Sequence, residues 1–433
     1  MTTIQMATAE MTCASFLGFG AEWDSRNYVE AGVTNAEFIR IRRRVELMRL
    51  PAARIMMQIR WCMGVDGTLD FETPEMQSLY RHLDTCQALG TTVFLTDWGC
   101  MPEWLRVPGI RDVADPRYAE VIGEYMHHLV DIRGYGCIRY FIMVNEPNWE
   151  VQDFALWRLG LEGVATEFKK RGLAGRVLLA GSDEAHSAEN VWHRQAVDQA
   201  RHLLGVYDMH RYASDVNEVR SGKLEEFWRT MWTYARDRDP EASGKPCIVG
   251  EAGLGDDAKH PYGSPHIDEF AYGVFMADYA VQAARAGSAA VLAWMLDDNS
   301  HPGFFWGMWS ALTDGLRLRP WFYPWALLSR LFPSGCATYR VSEDSPDLRL
   351  LAAKHEHTWS VCAVNRGDVE LARTFDFTGR DSPAEATLYR YCEGSSPVDA
   401  EGFPVSSGCK TVVSNAVYLV SPPRSVMFLT VLI

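Results

Sequence analysis

Short apolar runs alternate with amphipathic helical stripes along the first three quarters of the chain. Eight of these runs have the length and composition of buried strands: Cys13–Gly18, Arg54–Arg60, Thr92–Thr96, Ile138–Glu146, Arg176–Ala180, Val206–His210, Cys247–Glu251 and Ala290–Leu296. Between them, apolar residues recur at helical spacing, as in the stripe Phe270, Val274, Ala277 and Val281. Eight strand–helix units predict an α/β fold, a (β/α)8 TIM barrel, over residues 1–333.

The main alternative to a barrel is an open doubly wound sheet that binds a dinucleotide, and the residues after the first predicted strand distinguish the two folds. The segment Gly18-Phe19-Gly20-Ala21-Glu22 follows the first run and contains two glycines. A dinucleotide site needs a third glycine that opens the next helix, and this segment lacks it. The sequence therefore favours the barrel.

The pattern changes after Pro333-Ser334-Gly335. Short β-rich runs with alternating polarity follow, among them Leu348–His355, Thr358–Asn365 and Val426–Leu432, and turn residues separate them. This pattern of short alternating strands and turns is typical of an antiparallel β-sandwich. We therefore predict a second, accessory domain over residues 334–433 that braces the barrel.

Composition narrows the class of protein. With 47% hydrophobic and 23% charged residues the chain is typical of a soluble globular protein, and no run of transmembrane length lacks charges. A net charge of -14 argues against nucleic-acid or membrane partners. The ten cysteines include no Cys-x-x-Cys pair, and several fall in apolar segments, so we expect buried free thiols. These thiols and the absence of a signal-peptide pattern predict a cytoplasmic location.

Two glutamates stand out because each ends an apolar run. Glu146 closes Phe141-Ile142-Met143-Val144-Asn145-Glu146, and Glu251 closes Cys247-Ile248-Val249-Gly250-Glu251. Burying a carboxylate there is costly unless the site requires it. In a barrel both would reach one mouth, from strands four and seven. Such a pair supplies the two carboxyl groups that glycosidic bond cleavage requires.

At these positions the sequence resembles the retaining glycoside hydrolases of clan A, whose barrels carry catalytic glutamates after strands four and seven. The resemblance rests on Asn145-Glu146-Pro147, Gly250-Glu251, His210-x-Tyr212 and Trp294. With no large N-terminal module, the chain looks most similar to families 39, 30, 5 or 51 of that clan. The motifs do not choose among these families.

The resemblance implies roles for individual residues. Glu146 would be the general acid/base, Glu251 the nucleophile, and Asn145 a hydrogen-bond partner of the sugar 2-hydroxyl. An ionised Glu251 needs donors, for which Tyr212 and Arg60 are the candidates. Arg60 shares one side-chain row with Met56 and Gln58 if the second strand extends that far.

Further acids and indoles follow the predicted strands and could bind sugar hydroxyls or stack on sugar rings. These candidate substrate contacts, together with His210, are Glu22, Trp23, Asp97, Trp98, Trp149, Trp294 and Asp298. For each of them a helix cap or a packing aromatic is the competing interpretation.

No metal or other cofactor is predicted. His355-Glu356-His357 lies in a predicted sandwich strand rather than on a helix, where a zinc peptidase carries its histidines. The predicted partner is a carbohydrate substrate. Two alternatives stay open: a transglycosylase with the same site, and a carbohydrate-binding barrel whose chemistry has lapsed. The motifs leave the sugar, the choice between exo and endo action, and the oligomeric state open.

Overall fold

A computed structural model describes residues 2–25, 28–105, 109–300, 303–343, 345–377 and 385–432. The strands are β1 (Thr2–Gln5), β2 (Glu10–Phe16), β3 (Gly18–Glu22), β4 (Ala52–Met57), β5 (Thr92–Asp97), β6 (Ile138–Ile142), β7 (Leu178–Glu184), β8 (Leu204–Ala213), β9 (Cys247–Leu254), β10 (Ala290–Ala293), β11 (Cys336–Arg340), β12 (Leu348–His355), β13 (Thr358–Asn365), β14 (Leu371–Asp376), β15 (Glu385–Tyr391), β16 (Gly408–Thr411), β17 (Ala416–Ser421) and β18 (Ser425–Leu432). The α-helices are α1 (Asn35–Met48), α2 (Pro74–Leu89), α3 (Pro102–Leu105), α4 (Pro116–His127), α5 (Pro147–Glu150), α6 (Phe154–Lys170), α7 (Val191–Gln195), α8 (Val216–Arg220), α9 (Lys223–Arg238), α10 (Phe270–Arg285) and α11 (Phe322–Leu331).

Strands β3 to β10 close into an eight-stranded parallel barrel, which confirms the predicted fold class. Its interior is filled at one level by apolar side chains, including Phe94, Val206, Ile248 and Leu292. The stripe predicted for the helix before the last strand lies on α10, where all four of its residues are buried or nearly so. The core is therefore a packed apolar plug, with the carboxyl ends of the strands above it.

The first barrel strand differs from the prediction. Cys13 lies on β2, which pairs with β11 outside the barrel, and the barrel strand is β3. The glycines at 18 and 20, predicted to form a turn after the first strand, lie on β3 itself. In the structure a Cβ at Gly20 would lie 2.1 Å from the carbonyl oxygen of Ala52, so this glycine permits close approach of β4.

The accessory domain is a sandwich, as predicted, with one addition from the start of the chain. A seven-stranded sheet has the order β16-β15-β18-β13-β12-β11-β2, and a three-stranded sheet has the order β1-β14-β17. Apolar side chains such as Trp359, Phe375 and Leu429 fill the space between the sheets. Strands β1 and β2, which lie within the range 1–333 predicted for the barrel, belong to these sheets, and strand β16 was not predicted.

The two domains meet along α10, whose side chains are almost all buried because the barrel and the sandwich cover it from opposite sides. Arg285 at its end crosses this seam. Its Nε donates to Glu225 Oε2 at 2.8 Å and its Nη2 to Glu343 Oε1 at 2.9 Å. Its Nη1 donates to the carbonyl oxygens of Val341 and Leu350. Because Arg285 binds groups of both domains at once, it holds the sandwich against the barrel.

The ten cysteines are free thiols, and Cys86, Cys137, Cys247 and Cys362 are buried as expected. Among the described residues, no helix combines the length and the apolar composition needed to cross a membrane.

Replacing Arg285 with leucine is expected to destabilise the protein. The change removes the Arg285 guanidinium from buried Glu225, and removing one member of a buried pair typically costs about 3–5 kcal/mol. We expect a loss at the lower end, about 3 kcal/mol in urea denaturation, because Arg229, Arg340 and Arg349 also contact Glu225. Arg42→Leu, in an exposed pair with Glu46, is the control and should change little. Equal losses in the two variants would contradict the role given to the seam.

Candidate active site

The first carboxylate at the barrel mouth, Glu146, lies in a turn rather than in a strand. Strand β6 ends at Ile142, so the predicted run Ile138–Glu146 is strand only in its first half. Glu146 has φ 45° and ψ 60°, a left-handed backbone, and caps α5, where Pro147 takes the first helical position. A non-glycine residue in this region costs about 1–3 kcal/mol, and such strain clusters at functional sites.

The second carboxylate, Glu251, faces the barrel because of a β-bulge. Ile248 lines the interior, so strict alternation would turn Glu251 outward. The pairing of β9 with β8 instead runs from Val249 opposite Met209 to Glu251 opposite His210 and skips Gly250. The extra residue brings Glu251 to the inner face beside His210.

A third acid, Asp183, is also brought into the site by a β-bulge. Strand β7 pairs Ser182 with Asp208 and Glu184 with Met209, so Asp183 is the residue left over. Its φ is 59°, again left-handed. Its side chain is almost fully buried and accepts a hydrogen bond at 3.2 Å from the backbone N–H of Glu146.

Arg54 joins these groups from β4. Its guanidinium has no exposed surface. Nη1 donates to Glu251 Oε1 at 2.6 Å, and Nη2 donates to Asn145 Oδ1 and Asp183 Oδ2 at 2.8 Å each. Burial of Arg54 disfavours its charge, but the Asp183 and Glu251 carboxylates outweigh this and raise its pKa. One buried cation thus holds two carboxylates and an amide in fixed positions.

His210 bridges the acids from β8. Its Nδ1 lies 2.9 Å from Glu146 Oε1 and 3.5 Å from Glu251 Oε1, and its Nε2 lies 2.9 Å from Asp183 Oδ1. Burial alone would lower the pKa of His210, but the carboxylates of Asp183 and Glu251 raise it well above its usual range. Both ring nitrogens face carboxylate oxygens at hydrogen-bond distance, an arrangement that favours the imidazolium form, in which both N–H groups donate.

The two glutamates have different surroundings. An oxygen of each lies within 4.8 Å of the other. The Glu251 side chain is only 5% exposed and also accepts from Tyr212 Oη at 2.5 Å, whereas that of Glu146 is 26% exposed. Burial raises the pKa of Glu251, while His210 and Arg54 oppose the increase. Glu251 is thus a fixed, enclosed carboxylate, and Glu146 is accessible.

Aromatic side chains form a wall on the Tyr212 side. Trp294, Met56 and Trp306 make one apolar cluster, against which Trp98 and Tyr212 pack. The Trp98 and Trp294 rings meet edge-on with centroids 6.0 Å apart, and Tyr212 and Trp306 do so at 5.5 Å. The structure therefore brings Trp98 and Trp294 next to the residues that hold Glu251.

Three residues predicted to bind substrate have other partners in this structure. Arg60 follows the end of β4 in a short 3-10 turn, donates to Gln58 and lies over the Trp104 ring, so it does not reach Glu251. Trp23 is 1% exposed and stacks on Phe38 in the core. Asp298 binds Arg319 and the amides of residues 306 and 307 and so holds a loop together.

The remaining predicted contacts have mixed positions. Asp97 is buried and accepts from Tyr118 Oη at 2.9 Å, and burial raises its pKa to about 7. Glu22 is fully buried at the end of β3, where burial raises its pKa well above the usual range. Trp149, by contrast, is 63% exposed on α5, three residues after Glu146. Of these, only Trp149 presents a free surface to a ligand.

Three central residues were missed from the sequence: Arg54, Asp183 and Asp208. Arg54 was placed in a strand but not in the site, although a charge inside the apolar run Ala52–Met57 was a usable signal. Asp208 carries the same signal within β8. Asp183 follows the predicted strand Arg176–Ala180 and had no signal, because a bulge places it.

Two groups of side chains have the spacing of metal ligands. They are Glu146, His210 and Glu251, and Asp183, Asp208 and His210. Both share His210, whose positive charge already faces the acids, and Arg54 contacts Glu251 and Asp183 directly. Two buried cations at these carboxylates oppose a divalent ion, so the donor set does not fit a metal centre well.

No family model and no curated sequence matches the chain. Solved structures do match. The catalytic domain of GH30 xylanase C from Talaromyces cellulolyticus aligns with a TM-score of 0.71 and 13% identity, over 100% of this chain and 99% of that one. A monomeric beta-xylosidase from Caulobacter crescentus CB15 gives 0.69 and 14%, over 99% of each chain. A glucosidase from Croceicoccus marinus gives 0.71 and 10%, over 100% and 99%. At these identities the similarity establishes a common barrel-and-sandwich fold.

Gly250→Ala should damage the bulge that positions Glu251. The new Cβ would lie 2.3 Å from Asp208 Oδ1, and overpacking of this kind costs about 1–3 kcal/mol. Urea denaturation measures the loss. Gly136→Ala is the matched control, since no atom lies within 4 Å of the Cβ added there. Combining Gly250→Ala with Asp208→Ala should recover part of the loss, and strictly additive losses would contradict the proposed clash.

Proposed function

We propose that this protein is a retaining glycoside hydrolase that cleaves a β-type glycosidic bond, with Glu146 as acid/base and Glu251 as nucleophile. The observation that carries the proposal is the pair of carboxylates whose oxygens lie within 4.8 Å at the mouth of the barrel. Retaining enzymes space their carboxyl groups about 5–5.5 Å apart, and inverting enzymes about 6.5–9.5 Å apart. Inversion requires the wider gap because a water must fit between the base carboxylate and the anomeric carbon, so the short spacing supports retention.

The different surroundings of the two glutamates support the assignment of roles. A nucleophile must be ionised and fixed, and Glu251 has Arg54, Tyr212 and His210 as donors or positive neighbours. An acid/base must exchange protons with the leaving group and water, and Glu146 is the more exposed of the pair. His210 donates to Oε1 of Glu146, so the acidic proton belongs on Oε2.

The reaction then proceeds in two displacements. Glu251 attacks the anomeric carbon while Glu146 protonates the departing oxygen, which forms a glycosyl ester and releases the aglycone. Glu146, now a carboxylate, takes a proton from water, and this water displaces Glu251 from the anomeric carbon. Asn145, whose Oδ1 accepts a hydrogen bond from Arg54, would contact the sugar 2-hydroxyl. The names of the structurally similar xylanase, xylosidase and glucosidase support a carbohydrate substrate.

Two alternatives make different predictions. A transglycosylase would use the same groups but pass the sugar to another sugar, and the exposed indole of Trp149 beside the acid/base is a surface on which an acceptor could stack. A lapsed carbohydrate-binding barrel would bind sugar without turnover. The buried pairing of Glu251 with Arg54 argues against it, because a binding protein gains nothing from this costly arrangement.

Glu251→Ala should abolish turnover and respond to azide in a way that identifies the nucleophile. On aryl β-glycosides we expect kcat to fall by about four orders of magnitude or more, as when other covalent nucleophiles are removed. Added azide should restore activity and give the glycosyl azide of inverted configuration, identified by NMR.

Glu146→Ala is the matched variant. With a good leaving group it still forms the glycosyl ester, so azide should give the glycosyl azide of retained configuration. Undiminished activity in Glu251→Ala, or the same azide anomer from both variants, would contradict the assignment. Binding of sugar without turnover by the wild type would favour the lapsed barrel.

The pH dependence of kcat/KM should depend on Tyr212. Glu251 must be ionised to attack, and burial raises its pKa, so activity should be lost as pH falls through a value above the ordinary 4.5. Tyr212→Phe removes a donor to the anion, which raises that pKa further. A hydrogen bond to a charged group contributes about 1.5–3 kcal/mol, so the acid limb should move up by about one pH unit or more.

Tyr234→Phe, which removes a surface hydrogen bond to Asp198, should leave the profile of the wild type. A Tyr212→Phe profile with an unmoved acid limb would show that Tyr212 does not stabilise the ionised nucleophile.

A further inference from the structure

We propose that the carboxyl group of Asp208 carries a proton that it donates to Asp183, and that Asp208 thereby acts as a positioning residue for His210 and Glu146. Its catalytic consequence rests on the proposed function, whereas the proton itself does not.

Asp208 lies between the apolar core of the barrel and the catalytic carboxylates. On β8 it follows Val206 of that core by two residues and precedes His210 by two, so all three side chains face inward. It has no exposed surface. Neither of its carboxyl oxygens has a hydrogen-bond donor among the described residues. On the β9 side, Gly250 leaves room for it, since a Cβ there would lie 2.3 Å from Oδ1.

A carboxylate without a donor cannot stay ionised at this depth, because burying an unpaired charge is far more costly than protonating it. Burial and the Asp183 carboxylate both raise the pKa of Asp208 well above its usual range. The resulting O–H needs an acceptor in turn. An oxygen of Asp183 lies within 4.8 Å of one of Asp208, and a ring nitrogen of His210 lies within 4.8 Å of both oxygens.

Asp183 is suited to accept a hydrogen bond from Asp208 because neighbouring cations keep Asp183 ionised. Burial opposes ionisation of Asp183, but Arg54 and His210 outweigh it and hold its pKa well below the usual range. Asp183 therefore accepts from Arg54, from His210 and from the backbone N–H of Glu146. A fourth donor, the Asp208 hydroxyl, would complete the pairing of its two oxygens.

Charge balance supports a neutral Asp208. The charged groups that act on it are Asp183 from β7, His210 from its own strand and Arg54 from β4. Glu251 from β9 contacts both of these cations. Two cations and two anions cancel if Asp208 is neutral. An ionised Asp208 would leave an excess negative charge buried in the barrel.

The consequence concerns the orientation of the catalytic acid. Asp183 binds both the backbone of Glu146 and the far nitrogen of the imidazolium that contacts the Glu146 carboxyl. A donor that fixes Asp183 thus fixes Glu146 from two directions. Asp208 touches neither substrate nor the reacting atoms, so its loss should lower kcat and leave KM nearly unchanged.

Comparing Asp208→Asn with Asp208→Leu separates the effect of hydrogen-bond donation to Asp183 from the effect of side-chain size. Both side chains are neutral and close to aspartate in size, but only asparagine can donate to Asp183. We expect kcat of the leucine variant to fall about 10- to 100-fold below that of the wild type, as for loss of a hydrogen bond to a charged group. The kcat of the asparagine variant should be at least about tenfold higher than that of the leucine variant. Equal kcat values in the two variants would overturn the positioning role.

Infrared difference spectroscopy at neutral pH tests the proton without any need for turnover. The wild-type spectrum minus that of Asp208→Asn should show the C=O stretch of a protonated carboxyl group. The band should persist when both proteins carry Glu146→Gln, which excludes the catalytic acid as its source. A carboxylate band in its place would overturn the proposal even if Asp208→Leu does not fold. Because this readout needs no substrate, it stands apart from failure of the glycosidase proposal.

Discussion

The structure depends on the burial of one guanidinium among carboxylates. Arg54 has no contact with water, yet it reaches Glu251, Asp183 and Asn145 from a strand that is otherwise apolar. Arg54, Glu251 and Asp183 would each be a costly buried charge alone, and each is stabilised because the others are present. The site is therefore assembled as a unit: strands β4, β7 and β9 must close into the barrel before any of these charges is compensated.

This mutual dependence explains why the backbone is irregular where the charged groups enter. Glu146 and Asp183 have positive φ angles, and Gly250 and Asp183 occupy β-bulges. Regular strands would alternate inward and outward residues and could not bring His210, Asp183 and Glu251 to one point. The local strain is outweighed by the ion pairs it allows, which is the usual relation between stability and function at a catalytic centre.

The sequence was sufficient for the features that follow regular periodicity. Eight apolar runs separated by helical stripes predicted the barrel, and alternating runs predicted the sandwich. The glutamates were found because each ends a run. Arg60 was placed wrongly because β4 ends at Met57, so the alternation assumed for Gln58 and Arg60 no longer applies. Trp23 packs in the core and Asp298 binds Arg319, which the sequence did not indicate, because an indole or an acid after a strand packs inside as readily as it faces a ligand. Asp183 could not be found, since a bulge has no periodic signal.

The central claim is that Glu251 forms a covalent bond to the sugar, and trapping of that ester tests it most directly. A 2-deoxy-2-fluoro glycoside with a good leaving group, made from whichever sugar the enzyme hydrolyses, would be incubated with the wild type, and the digested protein would be mapped by mass spectrometry. If Glu251 is the nucleophile, we expect one fluoroglycosyl group per chain, on the peptide that contains Glu251. A label on Glu146 or on any other residue would contradict it, as would an unlabelled enzyme whose first-formed product has inverted configuration.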